Sequence, residues 1–368
     1  MTAFFISVFA VYFLFLILLI AGWRITADHT LNQHRYYFLS VIIPFRNEEK
    51  NLPTLIDSLR KLNYPKDRFE ILLIDDHSTD QSGAVAKQLT GDFPNVKILV
   101  ASSEGKKSAI TQGIRESAGD IIVTTDADCE LPDDWLKSIN KQFQKQYISM
   151  LVGAVRIKSD HTFFSKLQAI EFTSLIGSAA ATLKLGFPTM CNGANLSYTK
   201  ESFLSVNGFE GNEHIASGDD EFLMRKIGKK FGATSLKFLN DQSAIVTTRP
   251  QSSLSDFLTQ RIRWAGKWRH NSSWSTKVLA FFILMFQVLW VMVLTSLFFQ
   301  YANTILLLTV VKILMEGFFL YKVSTFMNQR FHWVAFFVLQ LIYPFYVLGV
   351  GILSRIVGVS WKDRPLPN

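Results

Sequence analysis

The stretch Phe69-Glu70-Ile71-Leu72-Leu73-Ile74-Asp75-Asp76-His77-Ser78-Thr79-Asp80 decides the fold of this chain. Its first half is a short apolar run of the length of a buried strand, too short for an ordinary helix. The run ends in two carboxylates, and the small polar residues after them suit the start of a helix. A buried strand that ends in charge and passes straight into a helix is the repeating unit of parallel α/β sheets.

The same unit recurs on both sides. Strands are predicted at 38–44, 69–75, 96–101 and 120–125, and helices at 48–62, 79–90, 106–118 and 132–146. The pattern predicts an α/β fold with a mostly parallel sheet and right-handed crossovers. Ligands of such sheets sit at the carboxyl ends of the strands. Pro44-Phe45-Arg46-Asn47-Glu48, Asp75-Asp76 and Asp126-Ala127-Asp128 all fall there. There is no Gly-x-Gly-x-x-Gly and no Walker loop, which disfavours dinucleotide and P-loop chemistry.

Outside this middle region the chain is strongly apolar, which accounts for a hydrophobic content of 49% and 32 Phe in 368 residues. Residues 3–23 carry no charge and are long enough to span a bilayer core of ~30 Å. They read as an uncleaved anchor, with a signal peptide as the lesser alternative. Three further runs lie near 277–299, 303–321 and 332–353. Pro344, in the last run, is expected either to kink a span or to mark a re-entrant hairpin. Lys312 and Glu316 are expected to pair on one helix face.

The net charge of +8 gathers near the ends of these runs, at Arg24, Arg35, Arg261, Arg263, Lys267, Arg269, Lys322 and Arg330. That placement follows the positive-inside rule, puts the middle region in the cytoplasm against membrane lipids, and puts the turn at 299–301 on the far side. It is no compact basic stripe, so nucleic acid is not an expected partner. Two cysteines, Cys129 and Cys191, are too few for a disulfide scaffold or a zinc site and suit a reducing compartment.

Asp126 and Asp128 flank a small residue just past a strand, where two carboxylates can grip a hard divalent cation that also binds a diphosphate. Asp75 and Asp76 can accept hydrogen bonds from a base or ribose, although the stretch they open also suits helix capping. Lys106 opens a helix after Gly105, a position suited to phosphate, while Lys107 is expected at the surface. Asp219 and Asp220 open a helix predicted at 219–231, one as a cap and the other as a general base. Asn192-Gly193-Ala194-Asn195 reads as a tight turn into a strand, whose Gly allows close approach of an acceptor. Gln260, Arg263 and Trp264 lie on a helix predicted at 253–270, with Arg263 suited to a diphosphate and Trp264 to a sugar face. That helix also reads as interfacial, with Trp264, Trp268 and Trp274 at headgroup depth, and 163–185 reads as a second interfacial helix.

With these motifs in this order, the chain resembles the membrane-embedded family 2 inverting glycosyltransferases, a group that includes hyaluronan, chitin and cellulose synthases and the ceramide glucosyltransferases. The resemblance covers about 38–270 by motif and the flanking runs by arrangement. It implies a GT-A fold, a Rossmann-like nucleotide half merged with an acceptor half. It implies that Pro44, Asn47, Glu48, Asp76 and Lys106 border the nucleotide and that Asp126 contacts its diphosphate. Asp128 is implied to bind Mg2+ or Mn2+, and Asp220 to be the base in a Gly-Asp-Asp where many members have Gly-Glu-Asp. Gln260, Arg263 and Trp264 match the Gln-x-x-Arg-Trp motif near the acceptor and diphosphate, with Asn192, Gly193 and Asp219 beside it.

The resulting expectation has five parts: an anchor at 1–24, a GT-A domain at 35–250, the Gln-x-x-Arg-Trp helix at 251–275, about three membrane helices at 276–355 and a tail at 356–368. The expected activity is transfer from a UDP-sugar to a lipid or glycan hydroxyl. A single transfer onto a lipid-linked acceptor is preferred to processive synthesis. A non-catalytic assembly subunit and a membrane nucleotidyltransferase are the rivals from other classes.

Overall fold

A computed structural model of the chain describes residues 2–24, 35–145, 147–212, 218–267, 274–296, 302–357, 360–361 and 364–365. Trp268, Arg269 and the turn at 299–301 lie outside the described residues. After helix α1 (Thr2–Trp23) the chain alternates β1 (Leu39–Phe45), α2 (Leu52–Arg60), β2 (Phe69–Asp75), α3 (Ser82–Thr90), β3 (Val96–Val100), α4 (Lys106–Glu116) and β4 (Ile121–Thr124). Then come β5 (Cys129–Glu130), α5 (Trp135–Phe143), β6 (Met150–Gly153), β7 (Val155–Ile157), α6 (Phe163–Lys184), β8 (Leu196–Thr199), α7 (Lys200–Ser205), α8 (Asp219–Phe231), β9 (Leu236–Leu239) and β10 (Val246–Thr248). Helices α9 (Leu254–Gly266), α10 (Trp274–Ser296), α11 (Ala302–Phe326) and α12 (Trp333–Ile356) complete the set used below.

The main sheet has seven strands in the order β3-β2-β1-β4-β8-β6-β9. β3, β2, β1 and β4 pair in parallel, and β8 runs antiparallel to both β4 and β6. A smaller sheet, β5-β10-β7, stands beside it.

Alternation along β1 and β2 divides the core between the two faces of the main sheet, as the two-residue period requires. Leu39, Val41, Ile43, Ile71 and Leu73 join one apolar cluster with α2 and α5. Ile42, Leu72 and Ile74 join the other, with Ala109, Ile110 and Ile114 of α4 and Leu223, Met224 and Ile227 of α8. The register Phe45↔Asp75 sets the ends of β1 and β2 side by side, and Ile42↔Thr124 brings the end of β4 next to them.

Four helices are long and apolar enough to cross a membrane, with spans Ala3–Trp23, Thr276–Thr295, Asn303–Phe326 and Trp333–Ile356. Pro344 lies inside a continuous α12, so the last run is one helix and not a hairpin. One buried polar clasp joins all four. The Tyr12 hydroxyl donates to Glu316 (2.5 Å), and Lys312 donates to Glu316 (3.0 Å) and Gln340 (2.6 Å). Trp290 Nε1 donates to the Gln340 carbonyl (2.9 Å), and the Lys312 ammonium lies 4.0 Å from the Trp290 ring centre. Buried charges require this kind of pairing, and the expected neutralised pair is present.

Helix α6 differs from its expectation as an interfacial helix. It is largely buried, packed against α1, α11, α12 and β7, so it joins the α/β body to the membrane helices.

Candidate active site

A single cavity of about 1860 Å³ opens along the carboxyl ends of β1, β2 and β4 and runs under α8 and α9 to α6. Pro44, Glu48, Asp76, Lys106, Asp126, Asp128, Asn192, Gly193, Asp219, Asp220, Gln260, Arg263 and Trp264 all line it. Residues scattered over more than two hundred positions of sequence therefore share one space.

Asn47 is the exception among the expected site residues: the cavity lining does not include it. Its side chain ties the loop after β1 to the loop after β2, accepting from the Thr79 amide (2.9 Å) and donating to the Thr79 hydroxyl (3.2 Å). Asn47 (φ 51) and His77 (φ 54) both hold the left-handed region, uncommon for residues other than Gly. Asp75 is likewise spent on its own loop, accepting from the Ser78 amide (2.8 Å). Asp76 reaches across instead, taking the Gly105 amide at 2.8 Å. Asp80, one residue before the α3 N-cap Gln81, accepts from the Ser82 amide at 2.9 Å.

Gly105 (φ 110) provides the left-handed turn that starts α4 at Lys106. The Lys106 ammonium then stands between two acids, 2.6 Å from Asp126 and 3.7 Å from Asp219. Burial opposes its charge, but Asp126 and Asp219 together hold it well above the usual lysine range. Lys107 is buried, in contrast to its expectation. It donates to the Asn212 carbonyl and lies 5.5 Å from the Phe222 ring centre.

Asp128 sits past β4 where β5 pairs with β10, and the register Thr248↔Cys129 brings the Thr248 hydroxyl to its carboxylate (3.3 Å). Burial, followed by the charges of Asp126 and Glu48, pushes Asp128 up to about 6. Such an excess of negative charge is what a divalent cation relieves. Among the described residues no three His, Cys, Asp or Glu side chains form a closed cage. Two carboxylates with an open side fit Mg2+ or Mn2+, which keep waters and share substrate phosphates.

Gly218 (φ 77) turns the chain into α8, whose first turn carries Asp219, Asp220 and Glu221, the favourable charge for a helix N-terminus. The Asp220 carboxylate accepts from the Gly193 amide (3.0 Å) and the Glu221 amide (2.7 Å). The turn at Asn192 supplies the first bond: Asn192 Oδ1 accepts from the Ala194 amide (3.0 Å), and the Thr124 hydroxyl holds the Gly193 carbonyl (2.9 Å). The two acids are driven apart. Burial raises Asp220 against the pull of Lys267, with Asp219 adding to the rise. Burial also opposes the charge of Asp219, but Lys106 and Lys107 hold it below the ordinary carboxylate range.

Helix α9 starts at Ser253, whose hydroxyl accepts from the Asp256 amide (3.0 Å). It turns Gln260, Arg263 and Trp264 toward the cavity. In the sequence Lys267 reads only as a charge at a membrane boundary. It lines the cavity and pairs with Glu221 at 2.8 Å, joining the end of α9 to the start of α8. A positive residue three positions past a Gln-x-x-Arg-Trp match was the available signal. The far wall is apolar, with Phe172, Ile176 and Ala179 of α6, Phe238 of β9 and Met190.

Residues 40–204 match the family model described as glycosyl transferase family 2. The chain is 27% identical over 236 residues to the beta-monoglucosyldiacylglycerol synthase of Nostoc sp., covering 62% of this chain and 48% of that protein. It is 31% identical over 144 residues to the undecaprenyl-phosphate 4-deoxy-4-formamido-L-arabinose transferase of Pectobacterium atrosepticum, covering 38% of this chain and 42% of that one. The chain thus spans about half the length of these curated relatives. Among solved structures it resembles the mannosyltransferase PcManGT from Pyrobaculum calidifontis, in complex with GDP-Man and Mn2+. There the TM-score is 0.60 at 16% identity, covering 96% of this chain and 99% of that one. The shared architecture is the GT-A fold.

Proposed function

We propose that this chain, whose residues 40–204 carry a glycosyl transferase family 2 domain on a GT-A fold, is a membrane-bound inverting hexosyltransferase. Its donor is a UDP-sugar, and its acceptor is the hydroxyl of a lipid or lipid-linked molecule. The observation that carries this reading is the single cavity, charged where three strand ends meet and apolar where it meets α6. Its volume exceeds the ~300–1,000 Å³ of an ordinary ligand pocket and suits two substrates side by side.

The loop 44–48 and Asp76 border the base and ribose. Lys106 and Arg263 face the diphosphate and counter the charge that grows on it as the bond to the sugar breaks. Asp126 and Asp128 would hold Mg2+ or Mn2+, which supplies further positive charge to the departing oxygen. Asp220, aimed by the Gly193 and Glu221 amides, takes the acceptor proton as that oxygen attacks the anomeric carbon from the side opposite the nucleotide. Its raised pKa makes it the better base of the pair, and Asp219 stays ionised beside Lys106. Gln260 and Trp264 seat the acceptor.

No described residue of α1, α10, α11 or α12 lines the cavity. This favours a single transfer, with the product returning to the membrane, over threading of a polymer between the helices. In this reading the chain crosses the inner membrane several times with the catalytic region, 35–250, in the cytoplasm.

The test is release of nucleotide by the protein in nanodiscs, with Mg2+ or Mn2+, membrane lipid extract and a panel of UDP- and GDP-sugars. One UDP-sugar should turn over, yielding a lipid heavier by one sugar. Asp220→Asn should lower kcat by about 10²–10⁴-fold, the scale of general-base catalysis, with UDP binding retained. A ladder of products would replace the single-transfer reading, and loss of both turnover and UDP binding in the wild type would sink the transferase reading.

A further inference from the structure

Between Gln260 and Arg263, which face the cavity, lies a residue that the chemistry above does not use. Arg261 points away from the cavity, and neither it nor Glu171 lines it. It makes a two-pronged ion pair with Glu171 of α6: Nε to Oε1 at 3.1 Å and an η nitrogen to Oε2 at 2.6 Å. Both side chains are only 4% exposed. The Tyr346 hydroxyl of α12 donates to the same Glu171 (3.1 Å). Arg261 also donates to Gln260 Oε1, and its guanidinium carbon lies 4.3 Å from the Trp264 ring centre and 4.5 Å from that of Phe257.

One buried cation thus touches the two motif residues assigned to the acceptor, and its own anchors are on α6 and α12. A buried pair of this kind is a poor source of net stability compared with apolar packing, and it is costly to break from one side. What it does provide is a fixed geometry, since the planar fork of Arg donates to a carboxylate in one orientation.

We propose that Arg261 is a positioning residue that sets Gln260 and Trp264 for the acceptor, held in place by Glu171 and Tyr346. The acceptor end of the cavity is thereby built on the membrane-contacting helices, and the donor end on the α/β sheet. The acceptor role rests on the function proposed above, whereas the fastening of α9 does not.

The experiment compares wild type with Arg261→Met, Arg261→Lys and Tyr346→Phe in nanodiscs. Three readouts are taken: amide exchange along 254–266, UDP binding with Mn2+, and kcat/KM for the lipid acceptor. In Arg261→Met, exchange in α9 should rise at least tenfold with β1 and β2 unchanged, and UDP binding should hold within about twofold. Transfer should fall about 100-fold, the scale expected when a reacting group is misplaced by ~1 Å. Arg261→Lys should recover part of the transfer, and Tyr346→Phe should lie near wild type in UDP binding with a smaller loss of transfer. The proposal fails if α9 exchange is unchanged, or if UDP binding and transfer fall together by the same factor in all three variants. If the wild type transfers no sugar, the function reading fails, and the exchange data alone then decide whether Arg261 fastens α9.

Discussion

The cluster Asp219, Asp220, Lys106 and Lys267 shows how adjacent acids in one turn acquire different properties. Lys106 and Lys107 keep Asp219 charged, while burial and Asp219 itself raise Asp220. In its proposed role as base Asp220 works when deprotonated, so activity is expected above its raised pKa and is lost as pH falls through it. Lys267 pulls Asp220 downward. Lys267→Met should therefore move the acid limb of kcat to higher pH by about one unit, since a nearby opposite charge is worth ~1–3 units. A limb that stays in place or moves down, measured from pH 4.5 to 8, would separate Lys267 from the base. The different settings of the two acids are not legible in the Gly-Asp-Asp string, because they come from the lysines of α4 and from Lys267, which caps the end of α9.

At the level of elements, the strands and helices of the first half lie close to their expected positions, because each strand is a short apolar run that closes on a polar end. The helix from Asp219 to Phe231 also follows its expectation. The second half departs from this simple alternation. β6 and β9 are each four residues long, and the pairings of β6 with β8 and with β9 join segments far apart in sequence. Local pattern carries little information about such pairs. One residue holds this half together: Asn195, at the end of the Asn192 turn, donates to the carbonyls of Ala154 and Ala244 (both 2.8 Å) and accepts from Trp135 Nε1 (3.0 Å). Its partners lie between β6 and β7, before β10 and at the start of α5. Asn195→Ala takes a partner from three buried polar groups, of which only the Ala154 carbonyl is seen to keep another, the Val246 amide (3.1 Å), and should cost ~2–4 kcal/mol. The expected readout is a lowered thermal midpoint in detergent with the same secondary structure at low temperature. An unchanged midpoint would remove Asn195 from this role.

For the whole molecule, the four apolar runs are plain in the sequence from their length and scarcity of charge. Their joining to the α/β body was not, because α6 reads as an apolar, alanine-rich helix with no hint of what it touches. The contact is close: a Cβ at Gly22 of α1 would lie 2.6 Å from the Ala181 carbonyl oxygen of α6. Backbone cannot move aside as a side-chain tip can, so Gly22→Leu should part α1 from α6. The expected outcome is faster proteolysis between α1 and β1 and a lower thermal midpoint, with the β1–β4 half retaining UDP binding. Unchanged proteolysis and midpoint would show that this contact is slack.

The apolar wall that α6 gives to the cavity has a further consequence. A lipid acceptor of the kind proposed would arrive along that wall in two dimensions, within a film a few nanometres thick. Its supply is then counted in molecules per area of film, and diluting the film with inert lipid starves the reaction even when the test tube as a whole holds the same amount of everything.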